Sequence, residues 1–285
     1  MWEIKGIKTG VNSYLQILND FANMPSTLYV LGSLPSERRT SVAIVGTRRP
    51  SSYGKQVTYD LAYKLAKEGI IIVSGLAFGI DAIAHKAALD AGGITIAVQA
   101  NGLDSLYPAS HRQLAKQIVE SGGAIISEYP VGTPAHKHHF LARNRLVSGL
   151  SDAIVVTEAA TRSGTLSTVN HALDQNKEVF AVPGNITSLL SIGPNALIQQ
   201  GAHPVLSVEN ILEIVAPDHI PEQTTLLGST PLEQKILEFI QAGIQDNEEL
   251  QQESAVGASE FSQAMTMLEI QGRIRPTGGS RWSLL

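Results

Sequence analysis

Between residues 42 and 210 the chain repeats one pattern, a short apolar and β-branched run followed by a helix-length segment. The runs are Val42-Ala43-Ile44-Val45, Ile70-Ile71-Ile72-Val73, Ile94-Thr95-Ile96-Ala97-Val98, Ala124-Ile125-Ile126, Ala153-Ile154-Val155-Val156, Val179-Phe180-Ala181-Val182 and Pro204-Val205-Leu206. They show little alternation of apolar and polar residues. A strand with one face in water alternates, whereas a strand covered on both faces need not. The intervening segments, Lys55 to Lys67 and Ile80 to Ala91 among them, carry apolar residues at helical spacing. Residues 41–215 therefore read as an α/β domain, a Rossmann-like, doubly wound, mostly parallel sheet between helices.

The flanks differ. Residues 1–40 read as an N-terminal lead-in, in which Leu28-Tyr29-Val30 fits a short extra strand. Residues 216–230 contain Pro217 and Pro221 and no apolar period, as a linker does. Residues 231–285 hold three short helical patterns, Pro231 to Gln241, Asn247 to Glu253 and Ala258 to Gln271. A hairpin pattern follows from Arg273 to Leu284 with Gly278-Gly279 at its turn. Thr230-Pro231-Leu232-Glu233 supplies an N-cap, a proline at the first helical position and an acid at the third. Three helices and a hairpin point to a small winged-helix-like domain.

Composition excludes several classes. With no cysteine, the chain has no disulfide scaffold, thiolate metal site or cysteine nucleophile. The N-terminus lacks a signal-peptide pattern, and no apolar run approaches the roughly 18 residues of a membrane span. A cytoplasmic protein with no membrane partner is expected. The net charge is −5, and its distribution decides what it means. Residues 1–218 balance at zero and residues 219–285 carry the whole excess of acid. Any anion-binding surface must therefore come from local clustering in the larger part.

In a doubly wound sheet, ligands bind outside the carboxyl ends of the strands, so the loops there are informative. After the first strand, Gly46-Thr47-Arg48-Arg49-Pro50-Ser51-Ser52-Tyr53-Gly54 lacks the G-x-G-x-x-G dinucleotide fingerprint. It offers a glycine, hydroxyls and two arginines ahead of a helix start, which suits an anion and equally suits a solvated turn. After the second strand, Ser74 and Gly75 stand at the strand end, where they favour a ligand. Gly79 is read as a packing glycine and Asp81 as a helix cap.

The segment His136-Lys137-His138-His139-Phe140-Leu141-Ala142-Arg143-Asn144-Arg145 combines cations, an amide and a ring, the parts single-strand binding requires. Either Arg143 or Arg145 is expected to serve an internal ion pair instead. The histidines lack a carboxylate at ligand spacing, so no metal is expected. Ser163-Gly164-Thr165 at a helix start resembles a phosphate cradle, but without Gly-Lys-Ser/Thr it is not a Walker loop. Glu158 is the carboxylate placed for acid–base work, and anchoring a neighbouring arginine is its alternative role. Lys177 is a further candidate cation.

Taken in order, Val45-Gly46-Thr47-Arg48, Ser74-Gly75-Leu76-Ala77-Phe78-Gly79-Ile80-Asp81-Ala82-Ile83-Ala84-His85, Gly102-Leu103-Asp104-Ser105-Leu106-Tyr107-Pro108, Ser127-Glu128-Tyr129-Pro130-Val131-Gly132, Arg143-Asn144-Arg145, Ser163-Gly164-Thr165-Leu166 and Ala181-Val182-Pro183-Gly184 resemble the DprA/Smf family over about residues 25–212. Thr47 stands where that family usually has serine, Ala100 where a glycine is common, and Leu141 where a proline follows the ring. The resemblance implies an extended Rossmann fold that binds single-stranded DNA, forms a homodimer and loads the RecA recombinase in natural transformation.

On that reading there is no cofactor and no catalysis. Arg48, Lys137, Arg143 and Lys177 neutralise phosphates, the backbone at Ser163-Gly164 holds another, and Phe140 stacks a base. Gly46, Thr47, Ser74, Gly75, Asn144, Arg145 and Thr165 complete the expected site. A phosphoribohydrolase-like nucleotide-processing enzyme using Glu158 is the rival from another class, although the Pro-Gly-Gly-x-Gly-Thr loop of such enzymes is absent. A nucleotide-sensing protein on a related fold is a second rival.

Overall fold

The computed structural model describes residues 3–161, 163–217 and 230–284. The chain divides into two compact units, Met1–Ile220 and Pro221–Leu285. The larger is built on a nine-stranded sheet. Seven strands run parallel: β3 (Ser41–Val45), β4 (Ile71–Ser74), β5 (Thr95–Val98), β6 (Ala124–Ser127), β7 (Ala153–Val156), β8 (Glu178–Ala181) and β9 (His203–Pro204). Two antiparallel strands, β1 (Ile4–Lys8) and β2 (Thr27–Gly32), extend the sheet beyond β6. The order is β1-β2-β6-β5-β4-β3-β7-β8-β9. From β3 the chain winds outward through β4, β5 and β6, then returns to the other side of β3 as β7. The topological switch point therefore lies between β3 and β7, where a doubly wound sheet opens a crevice.

Both faces of the sheet are covered, which is why its strands do not alternate in sequence. Ala43, Val45, Val73, Ile154 and Val156 pack on one face against α4 (Lys137–Gly149) and α5 (Thr165–Asp174) through Leu146, Val147, Val169 and Ala172. Val42, Ile44, Ile72 and Val155 pack on the other face. There they meet α1 (Ser52–Lys67), α2 (Ile80–Asp90) and α7 (Glu209–Val215) through Leu61, Leu65, Ala84, Ala88, Ile211 and Leu212. Two further helices, α3 (Arg112–Glu120) and α6 (Ile192–Gln199), complete the unit.

Residues 1–40 are more than a lead-in. Tyr14, Leu15 and Leu18 are fully buried in the same core as β3 and β7. The Tyr14 hydroxyl lies 3.0 Å from Ser41 Oγ, and burial pushes its pKa up to about 12. Arg38 donates to Asp152 at 2.7 Å and to the Leu150 carbonyl at 3.2 Å, fastening the segment to the start of β7. Strand β1 escapes a hydrophobic-pattern reading because Ile-Lys-Gly-Ile-Lys is an edge strand blunted by lysines.

In the smaller unit, α8 (Pro231–Gln241), α9 (Asn247–Ser254), α10 (Ala258–Ile270) and the hairpin β10 (Ile274–Gly278)–β11 (Arg281–Leu284) form a winged helix. Its core gathers Ile236, Leu237, Ile240, Leu250, Phe261, Met265, Leu268 and Ile274. Thr230 Oγ1 accepts from the Glu233 amide at 3.2 Å and caps α8. Asp246 accepts from the Glu248 and Glu249 amides at 2.9 and 3.3 Å and caps α9. Most of the expected linker, residues 218–229, lies outside the described residues. Among the described residues no helix is long and apolar enough to cross a membrane.

Candidate nucleic-acid interface

A cavity of about 500 Å³ opens at the switch point. The β3 loop contributes Gly46, Thr47 and Arg48, the β4 loop Gly75 and Ala77, and the β5 loop Tyr107. Helix α4 contributes Lys137, Phe140, Arg143 and Asn144, and the start of α5 contributes Ser163, Gly164 and Thr165. Segments far apart in sequence thus meet because β3 and β7 are neighbours in the sheet.

The β3 loop is held by its own backbone. The Thr47 amide donates to the Glu158 carbonyl at 2.7 Å, and the Ile80 amide donates to the Thr47 carbonyl at 3.2 Å. A Cβ at Gly46 would strike Ile80 and the Glu158 carbonyl, so this glycine is fixed by packing. Glu158 itself is buried, and its carboxylate accepts from the Ser51 amide at 2.9 Å and the Ser51 hydroxyl at 2.5 Å. It ties down the N-terminus of α1, and among the described residues no arginine pairs with it, so the arginine-anchoring role read from the sequence has no support there. With both oxygens engaged, it is not set up as a general base.

Asp81 has a related task. Its carboxylate accepts from the Gly75 and Ala77 amides at 3.1 and 3.3 Å, shaping the β4 loop rather than capping α2. Burial raises its pKa, which the nearby Arg143 guanidinium opposes. Arg143 is buried as well, and donates to the Gly75 carbonyl at 2.7 Å and to the Val98 carbonyl. Burial lowers the Arg143 pKa, and Asp81 counteracts that. A Cβ at Gly75 would collide with this guanidinium. Arg143 thus knits the ends of β4 and β5 together beneath the crevice floor and has little of itself left for a phosphate.

Among the described residues of the lining two cations remain available. Arg48 and Lys137 are exposed, and neither has an ion pair or hydrogen bond among the described residues. The Arg48 guanidinium lies 5.7 Å from the centre of the Phe140 ring, and Tyr107 packs on the same ring at 5.3 Å between centroids. Arg48, Phe140 and Tyr107 form one cluster at the cavity lining. At the start of α5, Ser163 Oγ accepts from the Thr165 amide at 3.2 Å, and Asn144 donates to the Gly164 carbonyl at 3.3 Å. Gly164 has ordinary helical torsions, φ −59°, and a Cβ there would meet nothing within 4 Å. Packing accounts for the missing side chain at Gly46 and Gly75, whereas at Gly164 no atom of the described residues does.

Three residues expected in the site stand elsewhere. Ser74 is fully buried and donates to the Ile44 carbonyl at 2.7 Å, serving the sheet. Arg145 points away and pairs with Glu128 at 2.5 Å, the internal ion pair expected of one of the two arginines. Lys177 precedes β8 and so lies at the amino end of the sheet, opposite the crevice. Its ammonium sits 5.0 Å from the Phe21 ring and its pKa is lowered by burial. Tyr107 escapes the sequence reading of the site, although an aromatic in a loop that follows a strand end is a legible signal. Among the described residues no His, Cys, Asp or Glu group is arranged to hold a metal ion.

Comparison with known proteins follows the same division. Residues 6–216 match the family model of DNA recombination-mediator protein A, and residues 216–280 match the DprA winged helix domain. Protein Smf of Escherichia coli is 47% identical over 189 residues, 66% of this chain and 50% of that protein. DNA processing protein DprA of Bacillus subtilis is 41% identical over 197 residues, 69% of this chain and 66% of that protein. The chain thus spans about half to two thirds of these relatives' length. The solved structure of DNA processing protein A from Streptococcus pneumoniae superposes with a TM-score of 0.69 at 37% identity, covering 75% of each chain. That from Helicobacter pylori, described for its single-stranded DNA binding mode, gives 0.66 at 33% identity over 76% of this chain and 97% of that one.

Proposed function

Because the chain belongs to the DNA recombination-mediator protein A family, we propose that it binds single-stranded DNA in the crevice between β3 and β7 and delivers it to the RecA recombinase. The carrying observation is that Arg48 and Lys137, neither ion-paired nor hydrogen-bonded through its side chain among the described residues, line one cavity with the half-exposed Phe140 ring. Two cations track a phosphate backbone and a ring offers its face to a base. A duplex hides its base faces in the stack, so this arrangement favours a single strand. The α5 N-terminus adds backbone amides and the positive end of the helix dipole beside Gly164, where a phosphate oxygen can approach. Contacts to phosphate and ring faces carry little sequence information, so preference among sequences is slight.

The fuller reading is a cytoplasmic homodimer that protects incoming DNA during natural transformation while RecA assembles. Nucleotide processing draws no support from the site, because the carboxylate of Glu158 is spent on Ser51. The test is an equilibrium titration of labelled single-stranded and duplex oligonucleotides. Wild type is expected to prefer the single strand, and Arg48→Ala and Lys137→Ala each to weaken it across all sequences. Equal affinity of both variants and wild type would remove the crevice as the site. ATP or nucleoside monophosphate hydrolysis that disappears in Glu158→Gln would favour the enzyme instead.

A further inference from the structure

A strand held in the crevice must leave it on one side or the other, and the two sides differ in chemistry. Toward β8 and β9, residues 179–208 contain no Lys, Arg, Asp or Glu. Toward β4 and β5, the carboxyl edge carries Phe78 in the β4 loop and His111 and Arg112 where the β5 connection enters α3. Phe78 is 47% exposed although it is a phenylalanine in an otherwise well-packed loop. Its ring meets the His111 ring edge to face at 4.9 Å between centroids. His111 is fixed in turn, since its Nδ1 hydrogen-bonds the Leu76 carbonyl at 2.9 Å and must be the donor. That leaves Nε2 as the ring nitrogen without a hydrogen-bond partner among the described residues. Arg112 is exposed with no ion pair among the described residues.

The loop that carries this second ring adjoins the first cluster through its backbone. Gly79, next to Phe78, packs directly on the Thr47 carbonyl and the Arg48 backbone. Tyr107, 46% exposed, belongs to the crevice lining on the same side and touches Phe140. A single exposed phenylalanine needs no explanation. A rigidly backed ring beside an unpaired cation, adjoining the proposed binding crevice, has the composition of a single-strand track.

We infer that the strand leaves the crevice toward β4 and β5, where Phe78, braced by His111, stacks a further base and Arg112 receives its phosphate. The inference rests on the single-strand reading of the crevice and adds a direction and a second stacking platform to it.

The experiment compares oligothymidylates of about 4 and about 16 nucleotides, a range set by known single-strand site sizes. Phe78→Ala is expected to lower affinity for the longer one about tenfold, the scale of one base stack, and to leave the shorter within about twofold. Phe78→Trp, which keeps a ring and so tolerates the loop, is expected to bind the longer oligonucleotide normally with quenched emission. Unchanged affinity of Phe78→Ala for the longer oligonucleotide, equal loss for both lengths, or unquenched tryptophan at saturation would each overturn the track. Arg48→Ala separates the two claims: it is expected to weaken both lengths, and if it weakens neither, the crevice reading fails as well.

Discussion

At the scale of single residues, the crevice contains two kinds of arginine that sequence does not separate. Arg48 and Arg143 both follow the pattern of a phosphate ligand, yet one is exposed and the other holds two backbone carbonyls beside a buried aspartate. Arg48→Ala is expected to change DNA affinity with a stability change within about 0.5 kcal/mol, as at other exposed positions. Arg143→Ala leaves the buried Gly75 and Val98 carbonyls without their donor and removes the cation that offsets the burial of Asp81, and is expected to destabilise the fold by about 1–3 kcal/mol, read by denaturant unfolding. Gly164→Ala gives a sharper test. Its torsions suit alanine and no atom of the described residues obstructs the methyl, so stability is expected to hold or rise slightly. Single-strand affinity is expected to fall, because the methyl stands where a phosphate approaches. A Gly164→Ala protein with full affinity would show that nothing closes on the α5 N-terminus.

At the scale of elements, hydrophobic pattern locates the parallel strands to within a residue or two, because in β3 to β7 burial on both faces leaves a nearly continuous apolar run, whereas the edge strand β9 is only partly buried. It does not reveal β1, whose edge position admits lysines, nor that residues 1–40 enter the core. The loops that line the crevice are legible because the carboxyl ends of parallel strands share one edge. Burial of individual side chains is not, which is why sequence alone groups Ser74 with the site. Lys177 is adjacent to a strand but at its wrong end, a distinction that chain direction alone can draw. Helix α2 carries a consequence for pH. His85 is fully buried, with Nδ1 2.6 Å from Thr95 Oγ1, and burial lowers its pKa to about 3. A depressed pKa favours the fold above the unfolded value and loses that benefit as pH falls toward the folded one. Acidification from pH 7 to pH 4 is therefore expected to cost on the order of 3 kcal/mol at this residue. His85→Gln is expected to start less stable and show a flatter profile over that window, measured by unfolding at each pH. Asp81, whose pKa is raised, works in the opposite direction, so the difference between variant and wild type is the informative quantity.

At the scale of the whole molecule, charge is divided between the two units. Residues 236–272 of the winged helix contain no Lys or Arg and carry seven acidic residues. The α10 residues Phe261, Ala264, Met265 and Leu268 are buried, so the helix that would enter a major groove presents Glu260 and Glu269 instead of cations. Removal of residues 219–285 is accordingly expected to leave single-strand affinity within a factor of a few, and tight duplex binding by that segment alone would contradict this. The central claim is that Arg48 and Lys137 hold the strand, and that Arg145 and Lys177 do not. It is tested most directly by the salt dependence of single-strand binding, since removing one cation from a phosphate lowers the slope of log K against log salt by about 0.7. The Arg48→Ala/Lys137→Ala double variant is expected to lower that slope by about 1.4 relative to wild type, and Lys177→Ala to leave it unchanged. A double variant with the wild-type slope, or a Lys177→Ala protein whose slope falls, would contradict the account.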